Sequence, residues 1–324
     1  MIWVTWRQHR GQAFAGLALI ALAALVFLPY GRAIRDAYAQ HGVGPCLVRG
    51  TGGDGCQSAM TTFMEQFNGV ANHLLTWFTP IPGLIGAIVG ASLLGREYEH
   101  GTWRLAWTQS VPRTRWLTAK VLLVGFGIVV ITGSLSAVFG WFRSPVDHVS
   151  GRFSPGAFDL EGLSLTGYTL FAFAAGVLAG LLIRRTVPAI VAAFAAFMAV
   201  RLPVEYWLRQ RYQTPVTRLL SPAGHWGGIG PMAVPTTPGT PSWILDQGLV
   251  DKTGHPISAV LQTQISQRGS AADAYLRGLG LHLKVVYQPA NRFWTFQIIE
   301  ASLFVGLAAA LIGVGIGLLH RRSA

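Results

Sequence analysis

The chain alternates long apolar blocks with polar segments of very unequal length. Crossing about 30 Å of hydrocarbon takes roughly 20 residues at 1.5 Å each. Six blocks approach that length, at 11–30, 79–95, 116–141, 163–183, 187–207 and 294–319, and the second carries Pro80 and Pro82 at its start. Before it, Phe63, Phe67, Val70, Leu74 and Trp77 recur at three and four, which predicts an amphipathic helix over Thr61–Trp77. Little more than Arg184-Arg185-Thr186 separates spans four and five, and Pro188 suits the first turn of the next helix, so these spans predict a tight helical hairpin.

The connection from span five to span six is about eighty-five residues, too long to lack structure in a compact protein. Pro and Gly crowd its first half, from Pro215 to Pro241. A helical stretch is expected near Ile257–Leu276, and Leu281–Tyr287 alternates like a strand. The pattern therefore predicts an all-α integral membrane protein with six transmembrane helices and an outer subdomain. Its divisions are 1–206, including a first outer loop at 31–78, then the outer subdomain at 207–293, and 294–324 with the last span and tail. Trp3, Trp6, Arg7, His9 and Arg10 suit an N-terminal interfacial helix, although a plain basic flank accounts for them equally well. The small-x-small triplet Ala37-Tyr38-Ala39 lies too far past the first apolar block for signal cleavage, so that block reads as an uncleaved anchor.

Composition agrees with this reading, at 51% hydrophobic and only 12% charged residues. Of 25 basic residues, eleven fall on one side if both termini are cytoplasmic: Arg7, Arg10, Arg96, Arg104, Arg113, Arg115, Lys120, Arg184, Arg185, Arg321 and Arg322. These occupy short segments, so the positive-inside rule places both ends in the cytoplasm of a multi-pass cell-membrane protein. The net charge of +12 is then mostly a topology signal. It does not indicate nucleic acid, because no single soluble domain gathers the cations.

Cys46 and Cys56 are the only cysteines and both lie in the first outer loop. A pair this close on an oxidising face is expected to close a small disulfide loop, the alternative being two free thiols. Two sulfurs alone do not complete a metal shell, so no metal site is expected.

No catalytic signature survives its context. The chain has no phosphate-binding loop, no zinc-binding H-E-x-x-H and no G-x-S-x-G elbow. Ionisable residues within the spans are Arg201, Glu205 and Glu300, and intramembrane charge is a functional hypothesis by default. Arg201 and Glu205 stand four apart on one helical face and can pair. An ion pair holding helices together near the outer rim is the favoured reading, and a lining of the substrate path is the other.

Between spans two and three, Glu97 and Glu99 stand beside cations, followed by Gly101, Thr102, Trp103, Arg104, Trp107, Arg113, Arg115 and Lys120. A retained loop needs only cations, whereas acids, cations and a turn together suit docking into a partner's groove. The six-span order, Arg96-Glu97-x-Glu99-x-Gly101-Thr102, Pro112-Arg113 and Lys120 resemble the permease subunits of type-2 ABC exporters, notably an actinobacterial group. The entry Arg292-Phe293-Trp294-x-Phe296-Gln297-x-x-Glu300 is similar to that group too.

The resemblance implies a permease dimer, with a homodimer expected, driven by two copies of a separate ATP-binding subunit. That subunit, and not this chain, would hold ATP and Mg. The resemblance also implies a coupling helix within Glu97–Arg115 and a smaller contact at Arg184 and Arg185. Expected cargo is a drug, a peptide or a lipid-like compound. Two other readings are a membrane-bound enzyme using His225, His255 or His282 with Asp246, Asp251 or Asp273, and a regulatory membrane subunit that transports nothing.

Overall fold

The computed structural model describes residues 2–49, 54–99, 113–220, 241–267, 275 and 278–321. It is predominantly helical, with six helical stretches long and apolar enough to cross a membrane. The first span belongs to α1 (Ile2–Gln40), and the segment before residue 11 continues into it without a break. No helix-stopping pair separates them, so the expected interfacial helix is not a separate element. Next come α2 (Val43–Arg49), α3 (Asp54–Asn68), a π-helical turn at Gly69–Leu74, α4 (Leu75–Phe78) and the second span α5 (Ile81–Glu99). The third span is α6 (Arg113–Ser150), followed by the short α7 (Pro155–Phe158), the fourth span α8 (Ser164–Ile183) and the fifth, α9 (Thr186–Pro203). A π-helical turn at Val204–Leu208 and a 3-10 turn at Arg209–Arg211 extend α9. The sixth span is α11 (Phe293–Arg321).

The fourth span is the hub. Its apolar window is 72% buried, against 6% for the first span, whose Phe14, Leu17, Leu22 and Leu25 stay exposed. Such a surface is stable against lipid tails and not against water. Close approach of α5 and α8 depends on small residues at four-residue spacing. A Cβ on Gly176 would sit 2.7 Å from Ala91 N and 2.8 Å from Ala87 O, and one on Gly90 would run into the Phe173 carbonyl. Gly86 and Gly90 on one helix thus approach the Thr169–Val177 backbone, and Gly176 and Gly180 on the other approach the Ala87–Gly95 backbone, the small-xxx-small solution to helix association without a hydrophobic driving force.

The expected amphipathic helix is present as α3, but its register changes at the π turn. Phe63 and Phe67 are buried as predicted; beyond them Ala71 and Leu75 face the core, while Trp77 is 82% exposed. A π turn carries an extra residue, so a pattern read at constant helical period loses phase across it. Cys46 and Cys56 form a disulfide joining α2 to α3.

After span five, β1 (Val216–Leu220), β2 (Trp243–Val250) and β3 (His282–Gln288) form an antiparallel sheet in the order β1-β3-β2. Val216 pairs with Tyr287 and Val250 with His282. The alternating segment thus becomes the central strand. Of the expected Ile257–Leu276 helix, α10 (Ala259–Ser266) is seen, and its Ile265 packs with Leu249 and Leu281 of the sheet. Most of the Pro/Gly-rich stretch, 221–240, lies outside the described residues. Trp243 stacks on Phe153 at 5.3 Å, and Phe153 meets Phe296 at 5.5 Å, so an aromatic cluster seats the sheet on the ends of the spans.

Candidate functional site

At the end of the bundle away from the sheet, α5 and α6 come together with the α8–α9 turn. Arg184 terminates α8 in the left-handed region (φ 58°), its N–H donating to Gly180 O, and Arg185 is extended. A left-handed non-glycine residue is costly, and here it allows two residues to reverse the chain. Thr186 opens α9 with unsatisfied N–H groups. Glu99 accepts from Thr186 N at 2.9 Å and from its hydroxyl at 2.7 Å, so a carboxylate on span two caps span five. The Arg184 guanidinium lies 5.6 Å from the Tyr98 ring, and Lys120 pairs with Glu97.

Tyr98 and Glu99, at the described start of one segment expected to contact an ATPase, are therefore neighbours of Arg184, in the other. Glu97 and Glu99 both have intrachain partners, and Arg96, Arg115, Arg184 and Arg185 are exposed. Arg113 starts α6, and Gly101, Thr102 and Arg104 lie outside the described residues.

At the sheet end, spans four, five and six enclose a charged network. Arg209 reaches Glu300 at two points, Nε to Oε2 at 3.0 Å and Nη2 to Oε1 at 2.8 Å, and also donates to Asp159 at 2.6 Å. The Tyr168 hydroxyl donates to Glu300, and Tyr212 donates to Glu300 Oε2 at 3.1 Å. Arg201 pairs with Asp159 and, at 3.1 Å, with Glu205. Glu300 is wholly buried, with two guanidinium bonds and two tyrosine hydroxyls satisfying its oxygens, as a charge out of water requires. Arg201 thus pairs with Glu205 as its spacing suggested, whereas the cation that holds Glu300 is Arg209.

Local structure explains why Arg209 joins. Eight residues along an ideal α-helix turn about 80° past two full turns, which would point Arg209 away from Arg201. Pro203 supplies no N–H, and the wider π turn that follows takes up the excess, so both guanidiniums reach Asp159. Asp159 comes from the connector after α7, where the sequence shows only a polar break between spans. Gln297 completes the clamp. Its side-chain oxygen accepts from Leu163 N at 3.0 Å and Ser164 N at 2.8 Å, capping α8 from span six, while its NH2 donates to Phe158 O at 2.7 Å.

A second buried group lies beside it. Arg143, fully buried near the end of α6, donates to Asp147 at 2.9 Å, lies 2.9 Å from Glu161 and donates to the Ala71 carbonyl in the π turn before α4. Arg152 binds Glu161 from the open side at 3.3 Å. Burial and the nearby Asp147 carboxylate push the Glu161 pKa up to about 8, against the pull of Arg143 and Arg152. Arg143 and Asp147, four apart just past the expected end of span three, were the available sign of this group.

The enzyme reading gains nothing from the geometry. Asp251 accepts from Thr253 N at 2.8 Å and His255 N at 3.0 Å, which makes it a turn-forming residue, and His282 begins β3. Asp246 lies at the bulge of β2, and His225 and Asp273 are outside the described residues. No cluster of potential metal ligands occurs among the described residues.

Neither the curated proteins nor the solved structures contain a match to this chain. The family model described as "ABC-2 membrane transporter related" matches residues 17–209, from the first span through Arg209 and more than half of the chain, and the protein belongs to that family.

Proposed function

We propose that this multi-pass permease is the membrane half of an ATP-driven exporter, assembled as two copies with two copies of an ATP-binding subunit. The observation that carries the reading is the junction of Tyr98 and Glu99 with Arg184 and Thr186. A push on the segment after Glu99 is passed to spans two and five together, because Glu99 belongs to one and caps the other. The exposed Arg115 and Arg185 supply the cationic surface for an acidic groove on the ATPase. Both termini lie on that cytoplasmic side, and cargo is a drug, a peptide or a lipid-like compound. The charge networks at the sheet end act as a clamp between spans rather than as a path, since their groups spend their bonds on one another.

Co-purification with the ATP-binding subunit tests the reading. Arg115→Glu with Arg185→Glu should weaken assembly by tenfold or more while leaving the unfolding temperature of the isolated permease unchanged; assembly and export at the original level would refute it. Single cysteines introduced at Thr108 and Gly254, with Cys46 and Cys56 replaced, test the orientation. Position 108 should label from the cytoplasm and position 254 from outside.

A further inference from the structure

A cleft of about 650 Å³ runs between α6, the start of α8 and α11. One end is lined by Arg152, Glu161 and Trp294. From there its walls descend from Gly140 to Val129 on α6 and from Trp294 to Val305 on α11. Each wall is twelve residues, eleven rises of 1.5 Å or about 16 Å, close to the depth of one leaflet of a hydrocarbon core about 30 Å thick. Val129 and Val305 remain 42% and 44% exposed, so the cleft opens along its length to the side of the bundle. It narrows to no side-chain plug, because Gly133 lines it and a Cβ there would meet nothing within 4 Å.

The end at Arg152 is charged in an ordered way. Arg152 is one-third exposed, with its guanidinium 3.8 Å from the Phe293 ring and 5.3 Å from that of Trp294. Its Nε and Nη2 both turn to Glu161 Oε2 at 3.3 Å, and Nη1 makes no hydrogen bond among the described residues. Trp294, half exposed beside it, is the amphipathic residue that settles at headgroup level. A cation at one end of a leaflet-deep apolar slot matches an amphiphile with a phosphate head and a hydrocarbon chain, because a phosphate forms strong charge-assisted bonds with guanidinium.

We propose that this cleft binds one membrane phospholipid, its phosphate on Arg152 and one acyl chain against Val129, Ala137 and Val305. The site does not depend on the exporter reading, since it requires only a membrane around the bundle.

Native mass spectrometry of the delipidated full-length protein tests it, with phosphatidylglycerol, diacylglycerol of the same chains and inorganic phosphate as probes. One phosphatidylglycerol should be retained at least tenfold more tightly than diacylglycerol, and phosphate alone should not compete. Gly133→Leu, which fills the slot without a backbone clash, should remove that bound lipid. Gly313→Leu, at an open position of α11 outside the cleft, should keep it. Arg152→Gln should erase the preference for phosphatidylglycerol over diacylglycerol. Should Gly133→Leu fold poorly, Ala137→Phe fills the same slot. Retention of the lipid by a folded cleft-filled variant, or equal binding of phosphate alone, would overturn the proposal.

Discussion

Arg209 and Glu300 meet in a two-point fork, Nε to Oε2 at 3.0 Å and Nη2 to Oε1 at 2.8 Å, inside a bundle where neither side chain reaches solvent. The pair joins the extension of span five to span six across 91 positions of sequence. Glu300→Gln should therefore cost about 3 kcal/mol, because Arg209 keeps its charge and loses one of its two carboxylate partners, leaving Asp159 alone to balance it. Adding Arg209→Met should recover part of the loss, because no cation is then short of a partner and Asp159 keeps its pair with Arg201. Thermal unfolding of the single and double variants provides the cycle. A Glu300→Gln protein that melts normally but no longer exports would show that the group belongs to the transport path.

Glu161 makes stability depend on pH. Its folded pKa, about 8, lies above the ordinary glutamate value of 4.5, so its protonated form is the one the fold favours. Its contribution is complete below pH 4.5 and is lost as pH rises towards 8. Across that window the unfolding temperature should fall, and in Glu161→Gln the fall should be smaller. An identical pH profile in the two proteins would refute this.

Gly90→Leu should prevent spans two and four from packing, because its side chain would enter the backbone of Phe173. Loss of folded protein of several kcal/mol is expected, at the upper end of overpacking costs. Gly127→Leu, at a position with open space on span three, is the control and should unfold normally. Size-exclusion profiles and melting curves of the two variants in detergent give the comparison.

The Cys46–Cys56 disulfide closes a short loop, so reduction should remove at most about 2–3 kcal/mol. Because it joins α2 to α3, the change should appear there as faster hydrogen exchange, with the spans unaffected. Unreduced protein in which both thiols alkylate would show that the bridge is absent.

Much of this protein was legible in one dimension. Apolar blocks of sufficient length located six spans because a bilayer demands about 20 consecutive apolar residues whatever surrounds them. Alternation over Leu281–Tyr287 marked the central strand, and Arg201–Glu205 was visible because residues four apart on a helix are always neighbours. The partner of Glu300 was not legible. Arg209 becomes its counter-ion only because the π turn after Pro203 rotates it inward, and Asp159 joins only because the connector after α7 folds back between the spans. The same holds for Glu99, whose cap on Thr186 and intrachain role follow from helices 87 residues apart in sequence meeting at one end. Local period and charge fix which residues enter the membrane, because lipid acts on each segment separately. Which buried charges satisfy one another depends on helix rotation and on chain returning from far away, and only the tertiary structure decides that.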